Sequence, residues 1–68
     1  MSRATEYFTF TGIILVLREK AVKVDIGGGE VWLPRSQIED EEELERYGAG
    51  STVEFSIPAW LAKEKGIL

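Results

Sequence analysis

The segment from residue 21 to residue 33 constrains the fold most, because alternating apolar and polar side chains flank a run of three glycines. Val24 before the glycines and Val31 after them can share one face only if the numbers of paired residues sum to an odd value. This register predicts a β-hairpin closed by a loop of two or four residues. It also places Lys23 beside Trp32 on the outer face, within reach of a cation–π contact.

Two more segments have the composition of strands. Residues 7–17 are rich in β-branched and aromatic side chains, with Ile14 and Val16 on one face. They predict a long strand that bends at Gly12, as is typical of small barrels. Residues 52–57 alternate in the same way and predict a fourth strand.

A short helix is predicted between the third and fourth strands. Asp40 with Glu43 fits a capping box, which favours a helix over residues 41–47. Leu44 and Tyr47, three residues apart, are expected to hold this helix against the core.

A second helix is predicted after the last strand. Pro58 and Gly66 are typical of the first turn and the end of a helix. Between them, Trp60 and Leu61 are expected to pack it across an open end of the sheet. The order is then strand, strand, strand, short helix, strand, helix, in one domain over residues 1–68. We expect a mainly β fold with short helices, arranged as a small open β-barrel with a C-terminal helix.

The absence of cysteine and histidine from the 68 residues removes most catalytic chemistry. Zinc sites built on Cys or His, Ser-His and Cys-His nucleophile pairs, haem ligation and redox CxxC chemistry all need these residues. The glycines at 27–29 are not followed by the Lys-Ser/Thr of a phosphate loop. The sequence therefore predicts a protein that is not an enzyme and that holds no metal and no cofactor.

Negative charge is concentrated in one block of a chain whose net charge is −4. This acidic block consists of Glu39, Asp40, Glu41, Glu42, Glu43 and Glu45. It would repel phosphate and attract a basic surface, which makes it a candidate for binding a protein. It lacks the alternating spacing and central glycine of a calcium loop. The alternative is an ordinary solvated helix face, with Glu42 paired to Arg46.

The sequence shows no membrane or export signal. Residues 1–6 are polar, and the longest apolar run, at 13–17, is far too short to cross a bilayer. We therefore expect a cytoplasmic protein without a membrane partner, with which the absence of cysteine agrees.

Four segments between residues 12 and 57 form a recognisable pattern. They are Gly12-Ile13-Ile14, Ala21-Val22-Lys23-Val24, Val31 to Ile38 and Gly50 to Ile57. This pattern resembles S1-type OB-fold domains, which often carry Leu-Pro-x-Ser-x-Ile/Leu after the third strand and Gly-x-x-Val after a short helix. The resemblance implies that the barrel is OB-like.

Two longer motifs lie at residues 32–38 and 57–66, namely Trp-Leu-Pro-x-Ser-Gln-Ile and Ile-Pro-x-Trp-Leu-Ala-x-x-Lys-Gly. Both are similar to segments of small, mostly uncharacterised bacteriophage and prophage proteins. The resemblance supplies no activity. It implies a setting in the host cytoplasm, where small accessory phage proteins tend to bind nucleic acid or to bind and block a host protein.

Trp32 is the leading candidate for a binding residue, because strand alternation places it on the outer face. It can anchor a protein interface, or it can stack on the bases of a single-stranded nucleic acid. The residues assigned to nucleic-acid binding are Tyr7, Arg18, Lys20, Lys23, Trp32 and Arg35. A third interpretation is that the C-terminal helix, or the loop after Pro34, covers the ring.

These features lead to two functional hypotheses. The first is a non-enzymatic, phage-encoded binding module that modulates or inhibits a host protein, such as a nucleic-acid-handling or defence system. In it, Trp32 anchors the contact and the acidic block complements a basic groove. The second is an accessory protein that binds single-stranded nucleic acid through one stripe of basic residues. Either is compatible with a homo-oligomer formed through an open strand edge.

Overall fold

The computed structural model describes residues 6–68 and contains one antiparallel sheet of four strands. The strands are β1 (Tyr7–Leu17), β2 (Ala21–Asp25), β3 (Glu30–Pro34) and β4 (Thr52–Pro58). Their order across the sheet is β3-β2-β1-β4, so β3 and β4 are its edges and do not pair with each other. The mainly β class with short helices is confirmed, and the sheet is not closed.

The helical segments are short. The 3₁₀ turns are Arg35–Gln37 and Glu41–Glu43, and the helices are α1 (Leu44–Tyr47) and α2 (Ala59–Glu64). Residues 41–47 are therefore helical throughout, as predicted. The predicted capping box does not form. Asp40 adopts the left-handed conformation, with a φ of 55°, instead of the extended one from which an aspartate caps a helix.

The β2–β3 hairpin has the register that the alternating pattern predicts. Val24 lies opposite Val31, and Lys23 lies opposite Trp32. The loop of residues 26–29 is the four-residue form and is closed by a 2.9 Å backbone hydrogen bond between its first and last residues. The hairpin therefore places Trp32 on the outer face of an edge strand.

Strand β1 is divided between two partners. Its residues 7–13 pair with β4, whereas residues 13–17 pair with β2. Gly12 is buried where the two pairings meet, and a Cβ atom there would collide with Cγ1 of Val24. Glycine is therefore required at this position because β2 approaches the backbone closely.

A bulge near the end of β1 reverses which side chains face the core. The register against β2 shifts between Ile14 and Val16. As a result Leu17 lies opposite the fully buried Val22 and packs against the core. Val16 lies opposite Lys23 instead, so the prediction that it shares the core face with Ile14 was wrong.

One face of the sheet is covered by the helical segments and the other is open. The buried core consists of Ile14, Val22, Val24, Leu33, Ile38, Leu44, Phe55, Ile57, Leu61 and Ala62. The open face carries Tyr7, Thr9, Thr11, Ile13, Lys23, Trp32, Thr52 and Glu54. Side chains that can meet a partner therefore lie on the open face and along the two edge strands.

Helix α2 ends as predicted, but its contacts differ from the prediction. Gly66 has a φ of 77°, and the N–H of Ile67 donates to the carbonyl of Ala62 at 2.8 Å, as in a Schellman motif. Leu61 and Ala62 are buried, whereas Trp60 is 55% exposed. The prediction that Trp60 packs into the core was wrong, because this six-residue helix buries one narrow stripe that Leu61 already occupies.

Candidate binding surfaces

Trp32 lies in the middle of β3 and is 41% exposed. The Cζ atom of Arg18 and the Nζ atom of Lys23 each lie 6.0 Å from the centroid of its ring. These distances permit cation–π contacts, and the predicted one with Lys23 is confirmed. Helix α2 does not cover the ring, because it packs on the opposite face of the sheet. We call Trp32, Arg18 and Lys23 the tryptophan cluster.

Two local features bring the cations of this cluster to the ring. Lys23 lies directly opposite Trp32 in the hairpin register. Arg18 begins the turn between β1 and β2, where its N–H donates to the carbonyl of Ala21 at 2.8 Å. Glu30 pairs with Lys23 at 3.0 Å and offsets part of its charge. Within residues 6–68, Arg18 is thus the cation of the cluster that has no carboxylate partner.

Arg35 does not reach the ring of Trp32 and is only 7% exposed. Its guanidinium pairs with the carboxylates of Glu41 at 2.8 Å and Glu45 at 2.9 Å. It also donates to the backbone carbonyl of Arg18 at 2.7 Å. Desolvation is the largest single effect on the pKa of Arg35 and lowers it, but the two glutamates outweigh that effect, so the pKa is raised. Arg35 therefore ties three chain segments together.

Tyr7 and Lys20 also lie outside the tryptophan cluster. Tyr7 is 48% exposed on the open face. It is the first residue of β1, whereas β1 begins to pair with β2 only at Ile13. A strand rise of about 3.3 Å per residue places these two residues roughly 20 Å apart. Lys20 is exposed in the turn before β2, where its carbonyl accepts the N–H of Arg35 at 2.9 Å. The structure thus brings three of the six basic and aromatic candidates together at the ring of Trp32 and leaves Tyr7, Lys20 and Arg35 outside that cluster.

Three acids of the acidic block are paired with arginine. Glu41 and Glu45 hold Arg35. Glu43 meets Arg46 at 3.3 Å. The expectation that Arg46 pairs with the residue four positions earlier was therefore wrong, since its side chain reaches the residue three positions earlier.

The other three acids of the block remain without an ion pair among residues 6–68. They are Glu39, Asp40 and Glu42. All three are exposed. The negative field expected from the sequence is therefore carried mainly by these three side chains, because an arginine offsets the others.

A groove of about 350 Å³ lies between β4 and the segment of residues 38–47. We call it the acidic groove; its lining includes the apolar side chains of Ile38, Leu44, Tyr47 and Val53 and the carboxylates of Glu39, Asp40, Glu43 and Glu54. Tyr47 was expected to hold the helix against the core, but it is 49% exposed at the groove. Glu54 was missed as a site residue, although the alternation of β4 signals that it points outward.

The tryptophan cluster and the acidic groove lie at opposite edges of the sheet. Trp32 is on β3, the groove is beside β4, and β2 and β1 lie between them. With strands about 4.8 Å apart, the two edges are separated by roughly 15 Å. A partner that touches both surfaces must span that distance.

Two negative findings concern residues 6–68. No group of three or more acidic side chains there is placed to hold a metal ion. None of the helices in the same range is long and apolar enough to cross a bilayer.

A scan against protein-family models, a search of curated proteins and a search of solved structures found no match for this chain. The resemblances to S1-type OB-fold domains and to phage proteins therefore stay predictions.

Proposed function

We propose that this chain is a non-enzymatic binding module that contacts a protein partner through Trp32. The observation that carries the proposal is the exposure of Trp32 on an open sheet face, with Arg18 and Lys23 beside its ring. Tryptophan and arginine are enriched among the residues that dominate binding energy at protein interfaces. A 41% exposed tryptophan already flanked by cations is a ready anchor for such a contact.

The acidic block supports the same proposal. Glu39, Asp40 and Glu42 have no ion pair within residues 6–68 and can attract a basic surface. Charges of this kind raise the association rate more than the affinity. In the proposed complex Trp32 supplies the anchor, and the acids steer the partner toward it.

The partner that this chemistry fits best is a host protein with a basic, nucleic-acid-handling surface. The chain would act by occlusion, because a bound acidic module would prevent phosphate from reaching that surface. The setting, a phage-encoded protein in the host cytoplasm, rests on the resemblance of the motifs at residues 32–38 and 57–66.

A second candidate function is the binding of single-stranded nucleic acid. It is favoured by the two cations at the ring of Trp32, because stacked bases and their phosphates need an aromatic face beside positive charge. The net charge of −4 opposes it, since negative charge repels phosphate. We therefore place it second.

Tryptophan fluorescence separates the two functions. Short single-stranded DNA and RNA would be titrated into the wild type, Trp32→Phe and Trp60→Phe at low and at physiological salt. Trp60 is the matched control, because it is also exposed but no cation lies at its ring among residues 6–68. A saturable change at low salt, where phosphate contacts are strongest, that only Trp32→Phe removes would overturn the protein-binding proposal.

Retention of host proteins tests the leading proposal directly. Wild type, Trp32→Ala and Trp60→Ala would be immobilised and exposed to a nuclease-treated bacterial lysate. We expect the wild type and Trp60→Ala to retain the same protein and Trp32→Ala to lose it. Equal retention by all three would contradict the role of Trp32. Sedimentation at several concentrations would show whether the chain instead pairs with itself through a strand edge.

A further inference from the structure

The outer edge of β4 carries backbone groups that the sheet does not use. Antiparallel pairs alternate between hydrogen-bonded and non-hydrogen-bonded sites. Ser56 lies at a non-hydrogen-bonded site of the β1–β4 pair, because its carbonyl points away from β1 and accepts the N–H of Glu39 at 3.0 Å. By the two-residue period of a strand, the N–H and C=O groups of Glu54 and Thr52 point the same way.

The chain itself covers one end of this edge. Glu39 occupies the end at Ser56. Within residues 6–68, no backbone hydrogen bond outside the sheet involves Thr52 or Glu54, and both residues line the acidic groove. The groove therefore contains an unpaired length of strand edge, which is the feature that accepts an added strand.

Charge decides what can occupy the groove. Of its four carboxylates, only Glu43 has an ion pair within residues 6–68, and its partner Arg46 lies at 3.3 Å. A second copy of this chain would bring another net charge of −4 to the same place, where like charges repel. A segment rich in lysine or arginine has the complementary charge.

We propose that the acidic groove binds an extended, basic segment of a protein partner as a fifth strand beside β4. This inference rests on the proposed protein-binding function and names the chemistry of the partner. Side chains of an added strand alternate between the two faces of the sheet. Those on the covered face meet Val53 and Tyr47, and those on the open face meet Glu54. The groove thus selects a segment in which apolar residues alternate with lysine or arginine.

Backbone NMR with a defined peptide tests this inference. The probe is acetyl-Lys-Ile-Lys-Ile-Lys-amide, titrated at low salt into the ¹⁵N-labelled full chain. We expect saturable shifts at the amides of Thr52 and Glu54 and none at Trp32. The same peptide with N-methyl groups at all five residues removes the N–H donors of both edges, and Glu-Ile-Glu-Ile-Glu reverses the charge. Both control peptides are expected not to bind.

Charge variants show whether the groove is the site. Glu39→Gln with Glu54→Gln removes two carboxylates of the groove and is expected to raise the Kd by about fivefold at low salt. The matched control, Glu19→Gln with Glu64→Gln, removes the same charge from exposed positions outside the groove and should leave the Kd unchanged. Equal effects of the two pairs, or equal binding of the N-methylated peptide, would overturn the inference.

The two proposals can fail separately. Trp32→Ala is expected to leave peptide binding intact, because Trp32 lies at the opposite edge of the sheet. If the peptide fails to bind while Trp32→Ala still abolishes retention of a host protein, the groove inference is wrong and the proposed function stands. If the peptide binds while all variants retain host proteins equally, the role of Trp32 is wrong and the groove stands.

Discussion

Arg18 and Arg35 touch each other, yet they belong to regions of opposite character. Arg35, with Glu41 and Glu45, forms what we call the arginine clamp, in which Arg35 is 7% exposed and its guanidinium is paired with both acids. Arg18 belongs to the tryptophan cluster and is exposed, with no carboxylate partner among residues 6–68. The difference shows that the placement of acids decides which arginine is held in ion pairs and which has none among the residues that the structure describes.

Removal of each arginine in turn tests whether the two regions differ in their contribution to stability. Arg35→Ala is expected to lower the free energy of unfolding by about 3 kcal/mol. It removes a packed side chain, a hydrogen bond to the carbonyl of Arg18, and ion pairs to two partly exposed acids. Arg18→Ala is expected to change it by less than about 0.5 kcal/mol, since its backbone carbonyl still accepts the bond from Arg35. Urea denaturation followed by circular dichroism measures both. Equal losses would show that the two regions do not differ in stability.

A subtler change keeps the charge of the clamp and removes its geometry. Arg35→Lys is expected to cost about 1.5 kcal/mol, because one ammonium cannot reproduce the planar fork that meets two carboxylates and a carbonyl. The measurement is the same urea titration. A loss as large as that of Arg35→Ala would mean that geometry alone matters, and no loss would mean that charge alone matters.

The acids of the clamp can be compared with an acid of the same block outside it. Glu41→Gln is expected to cost about 1 kcal/mol, a reduced value because its side chain is 38% exposed. Glu42→Gln removes the same charge without touching Arg35 and is expected to change stability by less than about 0.5 kcal/mol. The midpoint of thermal unfolding should fall for the first variant only. A fall of equal size for both would indicate general charge repulsion in place of a specific pair.

The smallest expected effect concerns pH. The pKa of Arg35 is raised in the folded protein. A group of this kind contributes stability that is fully present below its unfolded pKa and is lost only as the pH rises through the folded pKa. The difference in stability between wild type and Arg35→Ala should therefore be the same at about pH 7 and at about pH 9. A smaller difference at about pH 9 would mean that the guanidinium loses its proton between these two pH values, which would contradict a raised pKa.

The hairpin is the part of the fold that the sequence predicts best. Its register follows from alternation, because Val24 and Val31 can share the core face only if the numbers of paired residues sum to an odd value. The same register places Lys23 beside Trp32, so the contact between these two members of the tryptophan cluster is predictable. Local rules sufficed here because the partners are close in the chain.

The arginine clamp could not be predicted in the same way. Arg35 follows an edge strand and resembles an exposed base, and the sequence offers six nearby acids as partners. Its burial depends on the path of residues 38–45, which turn back over it after Asp40 adopts a left-handed conformation. No periodic pattern encodes that reversal, since a non-glycine residue with positive φ is uncommon.

The acidic groove was also hidden from sequence patterns. It exists because the end of β4 at Ser56 is covered by Glu39 while Thr52 and Glu54 are left unpaired. Alternation shows which side chains point outward, but it does not show which edge of a strand lacks a neighbour. Strand order across the sheet supplied that information.

The division of β1 between two partners has a consequence for the kinetics of folding. The β2–β3 hairpin closes a loop of four residues, whereas the β1–β4 ladder joins residues as distant as Tyr7 and Pro58. Pairings across long separations form slowly, because the entropy of closing the loop is lost before the contacts are gained. We expect Phe8 and Phe10 to lack their β4 neighbours until that late pairing forms. The arrival of the last strand would thus set how long a nascent chain is exposed to association with its own copies.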